Sequence, residues 1–451
     1  MNTFRSEAPR IPDRWPLPVL VVAGLVGPFE VTAGGRLYVL EIIVLIWLFV
    51  TLISGRLTVP RSRVVLYLLG LLWLGGLAVS DLVAGSELLN AGKAWSRTIV
   101  LLAMVYWGDR QLGGDWRRYL WFLGAWSAAN IVKSYVAPSG FAQSEEASDV
   151  WKFGIGQYVT LLVLALVAAQ PRRRVLGVLL ITLLSVFHIL MGSRALGGAT
   201  FLAGAWLCAV LVVDGIDLGK RPFGGGQFSF SRLCVVLGFL VVSTLGLRGI
   251  YHWAVDNAIT SYDMAEKVAE QEQHGAIQSI LFARSGLFLS ASLIPDSPLL
   301  GHGSWAEDPG IEGQMLEAAQ WQGVDLFQSN RMVSEQGALR SHSYIFDSWI
   351  EAGLAGAVFW GYCLFTFALA LLALSGRAHV SAGNALLVFV ISQQIWHILF
   401  SPFGFQARVV TMLALVGAAY AFAGLDGQRH CEDDDEVLPL ANTGDSAQKV
   451  G

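Results

Sequence analysis

Apolar runs of membrane-spanning length recur along this sequence, and nothing restricts its fold more. A helix that crosses a bilayer needs roughly 20 predominantly apolar residues. Candidate runs occur at 16–34, 37–54, 64–83, 94–108, 119–137, 155–170, 175–191, 195–213, 232–250, 344–374, 383–400 and 407–424. A chain in lipid must satisfy its own backbone hydrogen bonds, which favours helices. The expected fold is therefore an all-α polytopic membrane protein with about twelve transmembrane helices. Charged residues make up 14% of the chain and hydrophobic residues 54%, whereas a soluble domain carries about 25% charged residues. Sixteen Trp suit a protein with long membrane–water boundaries. The first run is the weakest, broken by Gly24, Gly27 and Pro28. It reads as an anchor and not a removed signal, because more spans follow it and no h-region leads into a cleavage site.

The basic residues set an orientation. With the N-terminus inside, the inner segments carry sixteen Lys and Arg, and the short outer segments carry five: Arg36, Lys93, Lys152, Arg194 and Arg408. Cytoplasmic loops are the ones enriched in Lys and Arg, so both termini are expected inside. The segment 251–343 then lies outside, between the ninth and tenth spans. The chain divides into spans one to nine over 1–250, a large outer loop over 251–343, and spans ten to twelve over 344–424. The segment 425–451, with Glu432 to Glu436 all acidic, reads as a disordered cytoplasmic tail.

Several function classes fall away. A net charge of −4 points away from nucleic acid. The cysteines Cys208, Cys234, Cys363 and Cys431 have no zinc-type spacing and do not form a disulfide framework. No phosphate-cradling P-loop is present. No internal repeat of the kind found in transporters built from inverted halves stands out.

The outer loop is 93 residues long, with twelve acidic and four basic residues. A connector of that length is expected to carry function. Within it, Ile277, Ile280, Leu281, Leu287, Phe288 and Ala291 recur at helical spacing. Arg284 falls on that apolar stripe, and a guanidinium there needs a carboxylate or phosphate partner. Pro295 to Pro298 then breaks the helix, and Gly301-His302-Gly303 makes a turn. His302 reads either as an exposed loop histidine or as a ligand to substrate. Arg194, after Ser193 at the outer junction of two spans, is either a snorkelling arginine or an anion site. His342 opens the tenth span and can exchange a proton near neutral pH; Ser341 or Ser343 is the expected helix cap. Glu351 lies nine residues further on, on the opposite side of the helix from His342, and is expected to meet another helix or a polar cavity. Glu41, Arg97, Lys133, His397 and Arg408 read as structural ion-pair or interface residues.

The segment His342-Ser343-Tyr344-Ile345-Phe346, followed by Glu351, Gly353 and Gly356, resembles the pattern His-Asn-x-x-Leu-x-x-x-x-Glu-x-Gly-x-x-Gly of the bacterial O-antigen ligase and polymerase superfamily. Ser343 and Phe346 stand where that pattern has Asn and Leu. Ser193-Arg194 and Pro298-Leu299-Leu300-Gly301-His302-Gly303 are similar to two further family features. The resemblance covers roughly residues 190 to 400. It implies a GT-C-type membrane glycosyltransferase of the bacterial inner membrane. The donor would be a glycan on undecaprenyl diphosphate, presented on the periplasmic side. The acceptor would be a hydroxyl of lipid A-core for a ligase, or of another lipid-linked repeat for a polymerase. His342 would accept the acceptor's proton. Arg194 and Arg284 would bind the diphosphate and stabilise its growing charge. Ser193, His302 and Glu351 would complete the substrate site. No cofactor or metal is implied, and the anomeric carbon would be inverted.

Other readings keep their place beside this one. A protein O-oligosaccharyltransferase would use the same donor with a Ser or Thr acceptor. A lipid-linked glycan flippase would need charges lining both halves of the bilayer, whereas the candidates here gather at the outer face.

Overall fold

In a computed structural model, residues 14–32, 35–137, 150–170, 173–217, 291, 293–305, 343–375, 382–404 and 406–435 are described, with the isolated residues 234, 238, 241, 246 and 249. Helix dominates them, at 82%. The helices are α1 (Leu17–Val26), α2 (Val39–Ile53), α3 (Val64–Ala84), α4 (Leu88–Gln111), α5 (Trp116–Val136), α6 (Gly156–Ala169), α7 (Arg174–Leu190), α8 (Arg194–Asp217), α9 (Tyr344–Ala352), α10 (Leu354–Ser375), α11 (Ala382–Phe400) and α12 (Ala407–Asp435). An antiparallel hairpin of β1 (Glu30–Thr32) and β2 (Arg36–Tyr38) sits between α1 and α2.

Among the described residues, three helices are long and apolar enough to cross a membrane: Arg61–Ala84, Leu354–Ser375 and Gly383–Phe400. Five shorter apolar helices accompany them. The 21 residues of α3 rise about 31 Å, the thickness of a hydrocarbon core. Its outward face is apolar, with Leu68, Leu71, Leu72, Val79 and Leu82 exposed. Leu176, Leu179 and Leu183 of α7 and Phe365 and Leu372 of α10 are exposed as well. Apolar surface on so many helices suits a lipid surround and not water.

The centre of the bundle is aromatic. Trp73 of α3 stacks on Phe359 of α10 at 5.0 Å between centroids and meets Trp360 edge-on at 5.7 Å. Trp107, Trp126 and Trp206 are each almost fully buried. Ion pairs tie elements together where charge enters the interior: Arg408 Nε to Glu41 Oε1 at 2.7 Å, Arg63 to Asp109 at 2.8 Å, Lys133 to Glu30 of β1, and Arg97 to Glu351. Buried charges inside apolar helices need such partners. The expectation that Glu41, Arg97, Lys133 and Arg408 make structural ion pairs is met.

The structure redraws two expected spans. The run 16–34 is not one helix. α1 stops after ten residues, a rise of about 15 Å, and the chain turns into the β1–β2 hairpin. A Cβ at Gly27 would lie 3.0 Å from Leu40 Cβ and 3.0 Å from Trp126, so this turn packs too tightly for a side chain. The run 344–374 is also divided. Gly353, at φ 63 and ψ −151, separates α9 from α10. At the other end of the chain, α12 runs on to Asp435, so helix continues into the segment expected as a disordered tail. Most of the expected ninth span and the loop residues 251–290 and 306–342 lie outside the described residues.

Candidate functional site

The α9–Gly353–α10 corner is built by close backbone contact. Ser343 caps α9: its Oγ accepts from Phe346 N–H at 3.4 Å and donates to the Ile398 carbonyl of α11 at 2.9 Å. The cap therefore also pins the start of α9 to the end of α11. Tyr344 is buried beside Trp360, Phe403 and His397, with centroids at 5.1, 5.0 and 6.3 Å. Trp360 Nε1 donates to Ser348 Oγ at 2.8 Å. A Cβ at Gly356 would stand 2.2 Å from the Ser348 carbonyl oxygen. Only glycine lets α9 lie so closely along the first turn of α10.

The segment 297–305 closes over this corner. Trp349 Nε1 donates to the Pro298 carbonyl at 2.9 Å, His302 N–H to the Ile350 carbonyl at 2.6 Å, and Leu354 N–H to the Leu299 carbonyl at 3.3 Å. Gly301 has φ 82, and a Cβ on it would fall 2.6 Å from Gly353 N. A Cβ on Gly353 would fall 2.0 Å from the Leu299 oxygen. The two glycines thus meet backbone to backbone. Gly353→Ala is expected to remove at least the roughly 1–3 kcal/mol associated with a strained backbone position, more once the clash is added. Thermal unfolding in detergent measures it; a variant as stable as the parent would show that this junction is not closed.

The far side of the same segment docks on α3. Gly303 N–H donates to Ser80 Oγ at 2.8 Å. Ser304 gives both its N–H and its hydroxyl to Asp81, at 2.6 and 2.9 Å. Trp95 Nε1 of α4 donates to the same carboxylate at 2.7 Å. Three donors explain how an acid sits in the last turn of a helix, where the dipole disfavours it. That disfavoured position was the available sequence signal for Asp81, which the sequence reading missed.

The candidate residues divide as follows. Glu351 meets another helix, as expected, through Arg97 of α4. The Arg97 guanidinium also lies over the Phe403 ring at 5.1 Å. His302 is half-buried, and its Nε2 faces the Leu293 carbonyl at 2.9 Å. A carbonyl only accepts, so Nε2 carries the proton and the ring is held as a lock on the turn. Ser193 and Arg194 form a second corner, between α7 and α8. Gly192 has φ 74 there, and Ser193 N–H donates to the His188 carbonyl at 2.8 Å. Ser193 is buried and Arg194 is exposed. Behind them, buried His188 accepts from Trp151 Nε1 at 2.9 Å and faces Thr160 Oγ1 at 2.7 Å. Thr160 gives its own proton to the Gly156 carbonyl, so His188 Nε2 is the donor to it. Trp151 opens a π-helical turn, Trp151–Ile155, of a kind often found at functional sites. α11 packs on both α8 and α9 and so links the two corners. His342 and Arg284 lie outside the described residues.

Compared with known proteins, the chain matches no family model and no curated protein.

Proposed function

We propose that this chain is a membrane glycosyltransferase that moves a glycan from undecaprenyl diphosphate to an acceptor hydroxyl on the periplasmic side of the inner membrane. O-antigen ligase, with lipid A-core as acceptor, is the first choice among its forms. One observation carries the reading. The two motif pieces Pro298–Gly303 and Glu351–Gly356, some fifty positions apart in the sequence, are joined through their backbones at Gly301 and Gly353. That gives the resemblance a physical unit: a short helix beginning at buried Ser343, one residue after His342, held from both sides.

The chemistry follows from the residue types. The acceptor oxygen attacks the anomeric carbon as the bond to the diphosphate oxygen breaks. The acceptor's proton goes to His342, and the electron pair leaves with undecaprenyl diphosphate. Arg194 and Arg284 stabilise the charge on that leaving group. In-line displacement inverts the anomeric carbon. Because two guanidinium groups do what a divalent ion does elsewhere, turnover is expected to be unchanged in excess EDTA. A large loss of activity restored by Mg²⁺ would overturn this point.

Deletion in the native host, followed by electrophoresis of surface glycans, tests the whole reading. Long polymer held on undecaprenyl diphosphate and missing from the lipid core identifies a ligase. Single repeat units identify a polymerase. Loss of sugar from glycoproteins alone identifies protein glycosylation. Unchanged glycans of every kind would sink the proposal.

A further inference from the structure

Among the described residues, Trp305 is the one non-glycine residue with a positive φ, at 56. A bulky side chain is a genuine outlier in that region. The strain is held by the segment just before it: Gly303 and Ser304 are fixed to Ser80 and Asp81 by three hydrogen bonds. The backbone is anchored, the conformation is unfavourable, and the residue is nevertheless 37% exposed. The Lys93 ammonium of α4 stands 5.8 Å from the ring centroid. Strained residues held in this way cluster at ligand sites. A tryptophan serving only as an interfacial anchor would need no strain, since an ordinary φ also presents a ring to the boundary.

We infer that Trp305 and Lys93 form a sugar-stacking platform for the glycan portion of the substrate. A pyranose offers a face of C–H groups to an aromatic ring, whose π-face carries partial negative charge. The Lys93 ammonium, which lies over the ring, donates to the hydroxyls and takes the carboxylates of a sugar seated against it. The platform lies at the end of the same segment that seals the Gly353 corner, so it holds the glycan next to that corner. This inference rests on the glycosyltransferase reading for the identity of the ligand, and it concerns binding only.

The test uses full-length protein in detergent. The probe is the oligosaccharide released by mild acid from the host's polyprenyl-diphosphate glycans, labelled at its reducing end and followed by fluorescence anisotropy. Trp305→Gly is expected to weaken binding about tenfold or more, the loss of one ring's worth of contact. Glycine relieves the positive φ but gives up the side-chain contacts of a residue that is only 37% exposed, so binding is compared below the variant's own melting temperature. Trp305→Phe, which keeps a ring, is expected to keep most of the binding. Binding unchanged in Trp305→Gly overturns the inference, as does a wild-type protein that does not bind the probe. A transfer assay on the parent protein separates the two readings. If the parent binds the probe yet moves no glycan from donor to acceptor, the transferase reading fails and the platform stands.

Discussion

Replacing His342 by alanine is expected to lower glycosyl transfer by about 10²–10⁴-fold, the usual contribution of a positioned general base. The loss should appear in turnover and not in donor binding. The groups proposed to hold the donor are the arginines and the sugar platform, and none of them is changed. Ser343, the following residue, fixes where this part of the chain starts, through its bonds to Phe346 N–H and the Ile398 carbonyl. The alanine variant is therefore expected to fold and to unfold at the parent temperature. Purified enzyme with lipid-linked donor and an acceptor glycolipid gives the rate. A variant retaining half of the parent's turnover would remove His342 from the chemistry. A parent protein that moves no glycan to the acceptor in this assay would instead leave the flippase reading ahead. The two proposed diphosphate-binding cations should also affect turnover. Arg194→Ala and Arg284→Ala should each slow turnover by about 10²–10³-fold, as when one charge-stabilising donor is lost.

Helix positions were largely legible in the sequence where an apolar run ends in charge or proline. The runs 64–83, 175–191 and 383–400 match α3, α7 and α11 to within a residue or two. The break at Gly353 was not legible. Its cause is the Leu299 carbonyl, delivered by a segment fifty positions away, and a glycine inside an apolar run reads as tolerated. The β1–β2 hairpin was hidden for another reason: three-residue strands are too short to show a period of two. At the candidate site, Ser343 as a cap and Glu351 as a contact to another helix could be read from local chemistry. Arg97 as the partner of Glu351 could not, because 254 positions separate them. His188 and Trp151 escaped for the same reason, since their bond joins the turn before α6 to the end of α7.

Glu351→Ala should have the largest effect on stability, a loss of about 3–5 kcal/mol, because it leaves the Arg97 guanidinium buried without its carboxylate. Both side chains are nearly sealed, at 14% and 13% exposure, so water cannot replace the lost partner. Arg97→Ala should cost a similar amount by stranding Glu351. The double variant Arg97→Met with Glu351→Leu should recover most of the loss, because a well-packed apolar pair can stand in for a buried ion pair at little or no cost. Equilibrium unfolding in detergent gives all three values. If the double variant were as unstable as the sum of the single ones, the two residues would not be partners. Activity separates scaffold from site. A pair that only ties α9 to α4 predicts a stable double variant with near-parent turnover. If instead that variant folds but no longer transfers glycan, Glu351 or Arg97 also has a duty toward substrate, and the corner is part of the binding surface itself.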